Sequence, residues 1–338
     1  MSLNKAAWSM APRTRPLEVR AAPMSTPGDN QILIKNHAIA INPIDAKMQQ
    51  IAMYPVDYPA IFGQDVAGEV VAIGPNVTRF KKGQRVLGNT SFPSKRSEDK
   101  GFQAYTILNV NMTSEIPSSI PMERAVVIPT GLTTAASGLF QSDFLNLRLP
   151  TAPATSKSTN EVLLIWGGAS SVGCNAIQLA VAAGYDVFTA VSPRNFDLVK
   201  KLGASHAFDY QNASAVSDLL KVAKGRKVAG AFDACGRAVN SCVEFVQKAD
   251  GVKLVACTMG GFPAPPEGIK VGYVYGPSIA DNHVAKAIYE DFLPKALEAG
   301  TYVPAPEPLV SGKGLECIQG AMDLHSKGVS ARKVVVLL

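Results

Sequence analysis

The residues with the clearest chemical reading are glycines set around a short polar stretch. The apolar run Glu161-Val162-Leu163-Leu164-Ile165-Trp166 leads directly into Gly167-Gly168-Ala169-Ser170-Ser171-Val172-Gly173. A strand, a glycine turn and a helix in that order can cradle a dinucleotide. Gly168 permits the tight turn, and Gly173 lets the helix lie close on the strand. The helix N-terminus then offers N–H groups and the positive end of its dipole to a pyrophosphate. Ser170 stands where the middle fingerprint glycine is usual, so Ser170 and Ser171 are read as hydroxyl donors to phosphate. The rival reading is an ordinary tight turn.

The next strand decides which nicotinamide cofactor is expected. An NAD site usually places Asp or Glu at its tip for the ribose hydroxyls. Here the tip reads Ala190-Val191-Ser192-Pro193-Arg194-Asn195, while Asp186 sits at the other end of the strand and Asp197 within the following helix. An uncharged tip with Ser192, Arg194 and Asn195 would accept a 2′-phosphate, and a guanidinium suits that anion. NADPH is expected; the rival is a merely solvated Arg194.

Metal chemistry finds little support. The five cysteines (Cys174, Cys235, Cys242, Cys257, Cys317) are widely spaced without a C-x-x-C, and the four histidines form no paired motif. A disulfide framework and a cysteine-built zinc site are both unexpected.

The elements that must position these residues follow from pattern. Apolar runs at 162–166, 187–191, 207–210, 229–233 and 252–256 alternate with helix candidates such as 172–183, which predicts a doubly wound parallel sheet. The stretch up to about residue 125 has short β-rich runs at 31–35, 67–73 and 84–87 divided by Pro and Gly. Residues 150–160 read as an exposed loop, and a helix candidate and a closing strand at 333–338 finish the chain. The domains expected are therefore 1–125 with 285–338, and 126–284 between them.

At 338 residues, 47% apolar and 18% charged, the chain can bury two ordinary cores. No run approaches the ~20 apolar residues of a membrane span. The start, Met1-Ser2-Leu3-Asn4-Lys5-Ala6-Ala7-Trp8, lacks the apolar stretch of a signal peptide, so a cytoplasmic protein is expected. The net charge of +6 is spread along the chain in pairs such as Lys81-Lys82, which argues against nucleic acid as a partner.

Four further motifs carry a family resemblance. Residues 63–74 (Gly63-Gln64-Asp65-Val66-Ala67-Gly68-Glu69-Val70-Val71-Ala72-Ile73-Gly74) strongly resemble the signature of medium-chain dehydrogenases/reductases. So do Asn42-Pro43-Ile44-Asp45-Ala46-Lys47, Thr130-Gly131-Leu132-Thr133-Thr134-Ala135 and Arg332-Lys333-Val334-Val335. The resemblance covers nearly the whole chain. It implies a GroES-like β-rich catalytic domain, built from both chain ends, with an inserted Rossmann domain. In the zinc branch of that superfamily the ligand positions hold Cys and His; here they hold Asn42 and Gln64. The chain is most similar to the zinc-free branch, to quinone oxidoreductases and fungal trans-acting enoyl reductases.

By that resemblance residues 169–172, 192–195 and Tyr210 contact the adenosine phosphates, Cys257 and Thr258 line the nicotinamide side, and Val329 and Ser330 close over the cofactor. Pro43 and Lys47 join this cofactor set. Each has a plainer rival: Tyr210 as a half-buried strand-end residue, Cys257 as a small packed one, Val329 and Ser330 as a loop. Without zinc, reduction of an activated C=C is easier than reduction of a ketone, because only the enolate oxygen needs donors. Asn42, Lys47 and Thr134 are the candidate donors, and Tyr54 the candidate proton source. Lys47 serves either substrate or cofactor on this reading, and Asn42 either donates or fixes its turn. The expected function is NADPH-dependent reduction of an enone, quinone or enoyl thioester. A zinc-free alcohol/ketone oxidoreductase and an inactive NADPH-binding protein are the alternatives. The resemblance also implies a polyketide synthase acyl carrier as a partner, and relatives that are monomers or homodimers.

Overall fold

The computed structural model describes residues 4–90, 94–155 and 157–338. Residues 1–3 of the N-terminal reading and residue 156 of the expected loop lie outside the described residues. The chain divides into two compact units, one ending at Thr130 and resuming at Glu307, the other spanning Gly131–Pro306.

The strands, in chain order, begin with β1 (Lys5–Ser9), β2 (Glu18–Ala21), β3 (Gln31–Ala40), β4 (Ala60–Ile61), β5 (Asp65–Ile73), β6 (Arg85–Asn89), β7 (Tyr105–Asn109) and β8 (Thr113–Glu115). The second unit holds β9 (Glu161–Trp166), β10 (Asp186–Val191), β11 (His206–Asp209), β12 (Lys227–Asp233), β13 (Leu254–Cys257) and β14 (Lys270–Tyr273). Then β15 (Glu307–Lys313) and β16 (Arg332–Leu337) return to the first unit.

The main sheet of the first unit runs β15-β16-β3-β5-β6-β8, with β7 also on β3, and β2-β1-β4 form a smaller sheet. Its core is fed by strand alternation: Ile32 and Ile34, then Ile39 and Ile41, all fully buried. The phase changes from even to odd because β3 slips against β5 between Asn36 and Ala38, the signature of a bulge. Each fully buried aliphatic side chain contributes about 1.5–3 kcal/mol.

The second unit is one parallel sheet in the order β11-β10-β9-β12-β13-β14. Covered on both faces, β9 is a continuous apolar run, with Val162, Leu163, Leu164 and Ile165 fully buried. The connections reverse direction at β9, and ligands of such sheets bind outside the carboxyl end of that strand. This is the α/β class read from the sequence.

The unit borders differ from the expected ones. The first lies at Thr130 rather than 125, and the second at Glu307 rather than 285. Residues 285–306 stay with the second unit because Tyr289 shares a hydrogen bond with Thr133 at 2.7 Å, and the Tyr302 hydroxyl donates to Asn175 Oδ1. The strand β15 is an element the apolar pattern does not predict, since its sequence EPLVSGK is broken by Pro308 and Gly312. Among the described residues no helix is long and apolar enough to cross a membrane.

Candidate functional site

The glycine turn is built by steric need. Gly167 has φ +83°, outside the usual range for L residues. A Cβ on Gly173 would strike the Gly167 carbonyl oxygen and lie 2.6 Å from Gly168 Cα, so the helix Ser171–Ala182 reaches β9 only as glycine. A Cβ on Gly168 would collide with Thr189 Oγ1 of β10. Ser170 is the N-cap: its hydroxyl accepts from the Gly173 N–H at 3.0 Å and donates to the Ala234 carbonyl at 3.1 Å. That hydroxyl proton is therefore engaged inside the protein, where the sequence reading has it donating to phosphate. Ser171 and Val172, half-buried, open the first turn beside buried Ala169. Gly131, in the 130–135 motif, packs against this turn; a Cβ there would sit 2.6 Å from both Ser171 Oγ and Asn175 Nδ2.

The tip of β10 gathers a second group. Ser192 and Asn195 are half-buried and Arg194 is exposed, in the short turn after the strand. Because Val191 pairs with Asp209 in parallel register, Tyr210 follows next to Ser192 at neighbouring strand ends, 46% exposed. Asp209 caps its own turn, accepting from the Gln211 N–H at 3.0 Å. Asp186 lies at the opposite end of β10, paired with Arg226.

At the ends of β12 and β13 the organiser is Asp233, fully buried and not singled out from the sequence. Its carboxylate accepts from the N–H groups of Gly236 and Ala238, each at 2.8 Å, and of Cys235 at 3.2 Å. The Cys235 and Cys257 thiols donate to it at 3.2 and 3.6 Å. Burial above all, helped by that carboxylate, pushes the Cys257 thiol up to about 11. It is a protonated donor at neutral pH and not a nucleophile. Thr258 closes the corner, its N–H and hydroxyl both donating to the Asp233 carbonyl at 3.1 Å. The available signal was an acid ending an otherwise apolar strand.

The first unit holds a different arrangement. Asn42 caps the helix Pro43–Ile51 and is 2% exposed. Its Oδ1 accepts from Lys333 Nζ at 2.6 Å, and its Nδ2 donates to Asp65 Oδ2 at 3.0 Å. Lys333 Nζ also pairs with Asp65 Oδ2 at 3.1 Å, both side chains being buried. The other Asp65 oxygen accepts from Thr130, from its N–H at 2.7 Å and its hydroxyl at 2.6 Å. Asn89 Nδ2 donates to Thr130 Oγ1 at 2.9 Å. Asp45, also buried, accepts from the Asn42 N–H at 2.8 Å. Burial pushes its pKa up to about 7, with Asp65 nearby acting in the same direction.

Asn42 thus has both ends of its amide engaged within the protein, by Lys333 and Asp65. Lys47 and Tyr54 are half-buried, and Tyr54 packs against the core of this unit. Pro43 is exposed at the helix start. Val329 packs on the same core while Ser330 is exposed. Thr134 belongs to the second unit, where its Oγ1 lies 2.9 Å from the place of a Cβ on Gly276. The structure therefore groups residues 168–173, 192–195, 210 and 257–258 at the carboxyl edge of one sheet, and Asn42 with Lys333 in the other unit.

Zinc does not fit this donor set. The motif presents two amides, Asn42 and Gln64, and an ammonium 3.1 Å from the Asp65 carboxylate, whose two oxygens already accept from Asn42 and Thr130. A dication there would be repelled by Lys333 and find no thiolate or imidazole. Among the described residues no group of three or more His, Cys, Asp or Glu could hold a metal ion.

Residues 28–118 match the alcohol dehydrogenase GroES-like domain, and residues 171–278 match the zinc-binding dehydrogenase domain. The chain is 52% identical to the zinc-binding alcohol dehydrogenase domain-containing protein cipB of Emericella nidulans, covering 99% of this chain and 98% of that one. It is 38% identical to the trans-enoyl reductase himH of Aspergillus japonicus, over 99% and 97% of the two chains. Among solved structures, an alcohol dehydrogenase superfamily protein from Novosphingobium aromaticivorans superposes with TM-score 0.82 at 22% identity, covering all of both chains. The mycobacterial protein Rv1454c complexed with NADPH superposes with TM-score 0.72 at 22% identity, again over all of both. With these matches along nearly its whole length, the chain belongs to the medium-chain dehydrogenase/reductase superfamily and is an oxidoreductase.

Proposed function

We propose that the protein is a zinc-independent, NADPH-dependent reductase of the C=C bond of α,β-unsaturated carbonyl compounds: enones, quinones or enoyl thioesters. The observation that carries this reading is the buried Asn42–Asp65–Lys333 cluster, whose donor set suits no Lewis-acidic dication. Without a metal, ketone reduction by hydride needs another electrophilic group at the forming alkoxide. A conjugated C=C asks only that developing negative charge on the carbonyl oxygen meet hydrogen-bond donors. The name of himH, a trans-enoyl reductase, supports the same class.

When bound, NADPH supplies the hydride from its nicotinamide ring. The backbone of residues 168–173 receives the pyrophosphate, and Ser192, Arg194, Asn195 and Tyr210 take the 2′-phosphate end. Arg194 is exposed at a β10 tip whose own residues 190–195 include no Asp or Glu, which favours the phosphorylated cofactor, and a protein of this fold has been solved with NADPH. Cys257 and Thr258 hold the nicotinamide side; Pro43, Lys47, Val329 and Ser330 are the first unit's own candidates for cofactor contact. Toward the substrate, Lys47 is the first unit's candidate donor to the carbonyl oxygen and Tyr54 its candidate proton source for the α-carbon; Thr134 is the second unit's candidate donor. Asn42 is assigned to holding the turn. An acyl carrier of a polyketide synthase fits as the bearer of a thioester substrate.

The test is NADPH oxidation against an enone, a quinone, an enoyl thioester and a saturated ketone, with product analysis. Saturated products from the conjugated substrates are expected. Turnover of the ketone alone, giving an alcohol, would replace the reading with that of an alcohol/ketone oxidoreductase.

A further inference from the structure

Stretches of the first unit far apart in sequence converge on one buried ammonium. Lys333, the second residue of β16, is 4% exposed. Its Nζ reaches Asn42, at the entry to the helix Pro43–Ile51, and Asp65, the first residue of β5. Asp65 in turn holds Thr130 by both the N–H and the hydroxyl. Lys333, Asn42 and two donors from Thr130 thus meet on the one Asp65 carboxylate. A buried ammonium is a poor device for stability alone, since well-packed apolar residues commonly replace a buried ion pair without loss. What it does supply is direction: it fixes which way the Asn42 amide and the Asp65 carboxylate face.

We propose that Lys333 is the positioning cation of this reductase, the ammonium that fixes the Asn42 and Asp65 motifs relative to one another. It sets the start of the helix that carries Lys47, and through Asp65 it sets Thr130. This rests on the reductase reading above. Lys333 touches neither substrate nor cofactor; it acts through Asn42 and Asp65.

The experiment compares wild type, Lys333→Met and the double variant Lys333→Met/Asp65→Asn, which removes both charges at nearly constant shape. Three quantities are read: kcat and KM for the conjugated substrate that wild type turns over, the Kd for NADPH, and amide hydrogen exchange by mass spectrometry. The double variant is the one interpreted if the single variant does not fold. Turnover is expected to drop at least ~30-fold and NADPH affinity by less than about tenfold, because the 2′-phosphate and pyrophosphate residues lie in the other unit and only Pro43 and Lys47 of the cofactor candidates ride on the helix that Lys333 sets. Exchange should quicken at residues 42–51 and around residue 130, while β3 and β5 keep their protection. The role is overturned if the double variant folds and turns over like wild type, or if faster exchange spreads evenly over the sheet. Wild-type protein inactive toward every electrophile would instead remove the reductase reading and this role with it. Active wild type with an equally active double variant removes only the role.

Discussion

In the second unit the candidate cofactor site is made of backbone: a glycine turn, a helix N-terminus and strand ends aligned by sheet register. In the first unit the candidate site is made of side chains, with an amide, a carboxylate and an ammonium from distant stretches locked together below the surface. The backbone site tolerates no added atom at Gly173, whereas the side-chain site depends on charge balance. One is a matter of volume, the other of electrostatics, and they should fail differently.

Gly173→Val would break the volume side hardest. Its side chain meets the Gly167 carbonyl oxygen and Gly168 Cα, so the helix must move off β9. The expected loss is about 3 kcal/mol or more, read as at least ~100-fold weaker NADPH binding in a fluorescence titration, or as failure to fold.

The charge-based side is tested next by pH. Burial pushes folded Asp45 up to about 7 from 3.8, so between those values the folded chain keeps a proton that the unfolded chain has released. Stability should therefore fall as pH rises from about 4 to about 7, by an amount on the order of a few kcal/mol, and level off above. The groups facing Asp45 are Asp65, Lys333 and Lys100, the last pushed down to about 8 by its own burial. Lys100 acts with the opposite sign in a higher window: from about 8 to 10.5 stability should rise with pH. Urea melts across pH should show both slopes in wild type, and only the upper one in Asp45→Asn.

A smaller effect separates recognition from folding. Arg194→Ala should weaken NADPH by about 10- to 100-fold, the range for a lost charge-assisted hydrogen bond, and leave NADH within about twofold. Equal losses for both would remove the 2′-phosphate assignment. The smallest change serves as a control on the glycine argument. Gly320 lies in the helix Ile318–Ser326 with nothing near the place of a Cβ. Gly320→Ala should stabilise by about 0.5–1 kcal/mol, visible as a raised Tm with unchanged cofactor affinity.

The same contrast explains what could be read in advance. The turn at 167–173 was legible because backbone geometry needs particular residue types at fixed local spacing. The doubly wound unit was legible for the same reason, through strand and helix periods. The Asn42–Asp65–Lys333 cluster was not, because its partners lie 23 and 291 positions from Asn42 and only the sheet order β16-β3-β5 brings them together. Arg332 and Lys333 stand side by side at the head of one motif; in the fold alternate residues face opposite sides, so one is exposed and the other is buried. Asp233 was hidden likewise, since its donors come from the turn after it and from the neighbouring strand. The border at Glu307 escaped because residues 285–306 join the second unit through Tyr289 and Tyr302, contacts that leave no mark in composition.

The central claim is hydride delivery to carbon rather than to a carbonyl. NADPH carrying deuterium at nicotinamide C4 on the transferred face, given to the enzyme with an enone, locates the label by NMR of the product. The account predicts deuterium on the β-carbon of a saturated ketone. Deuterium on the carbinol carbon of an unsaturated alcohol would contradict it.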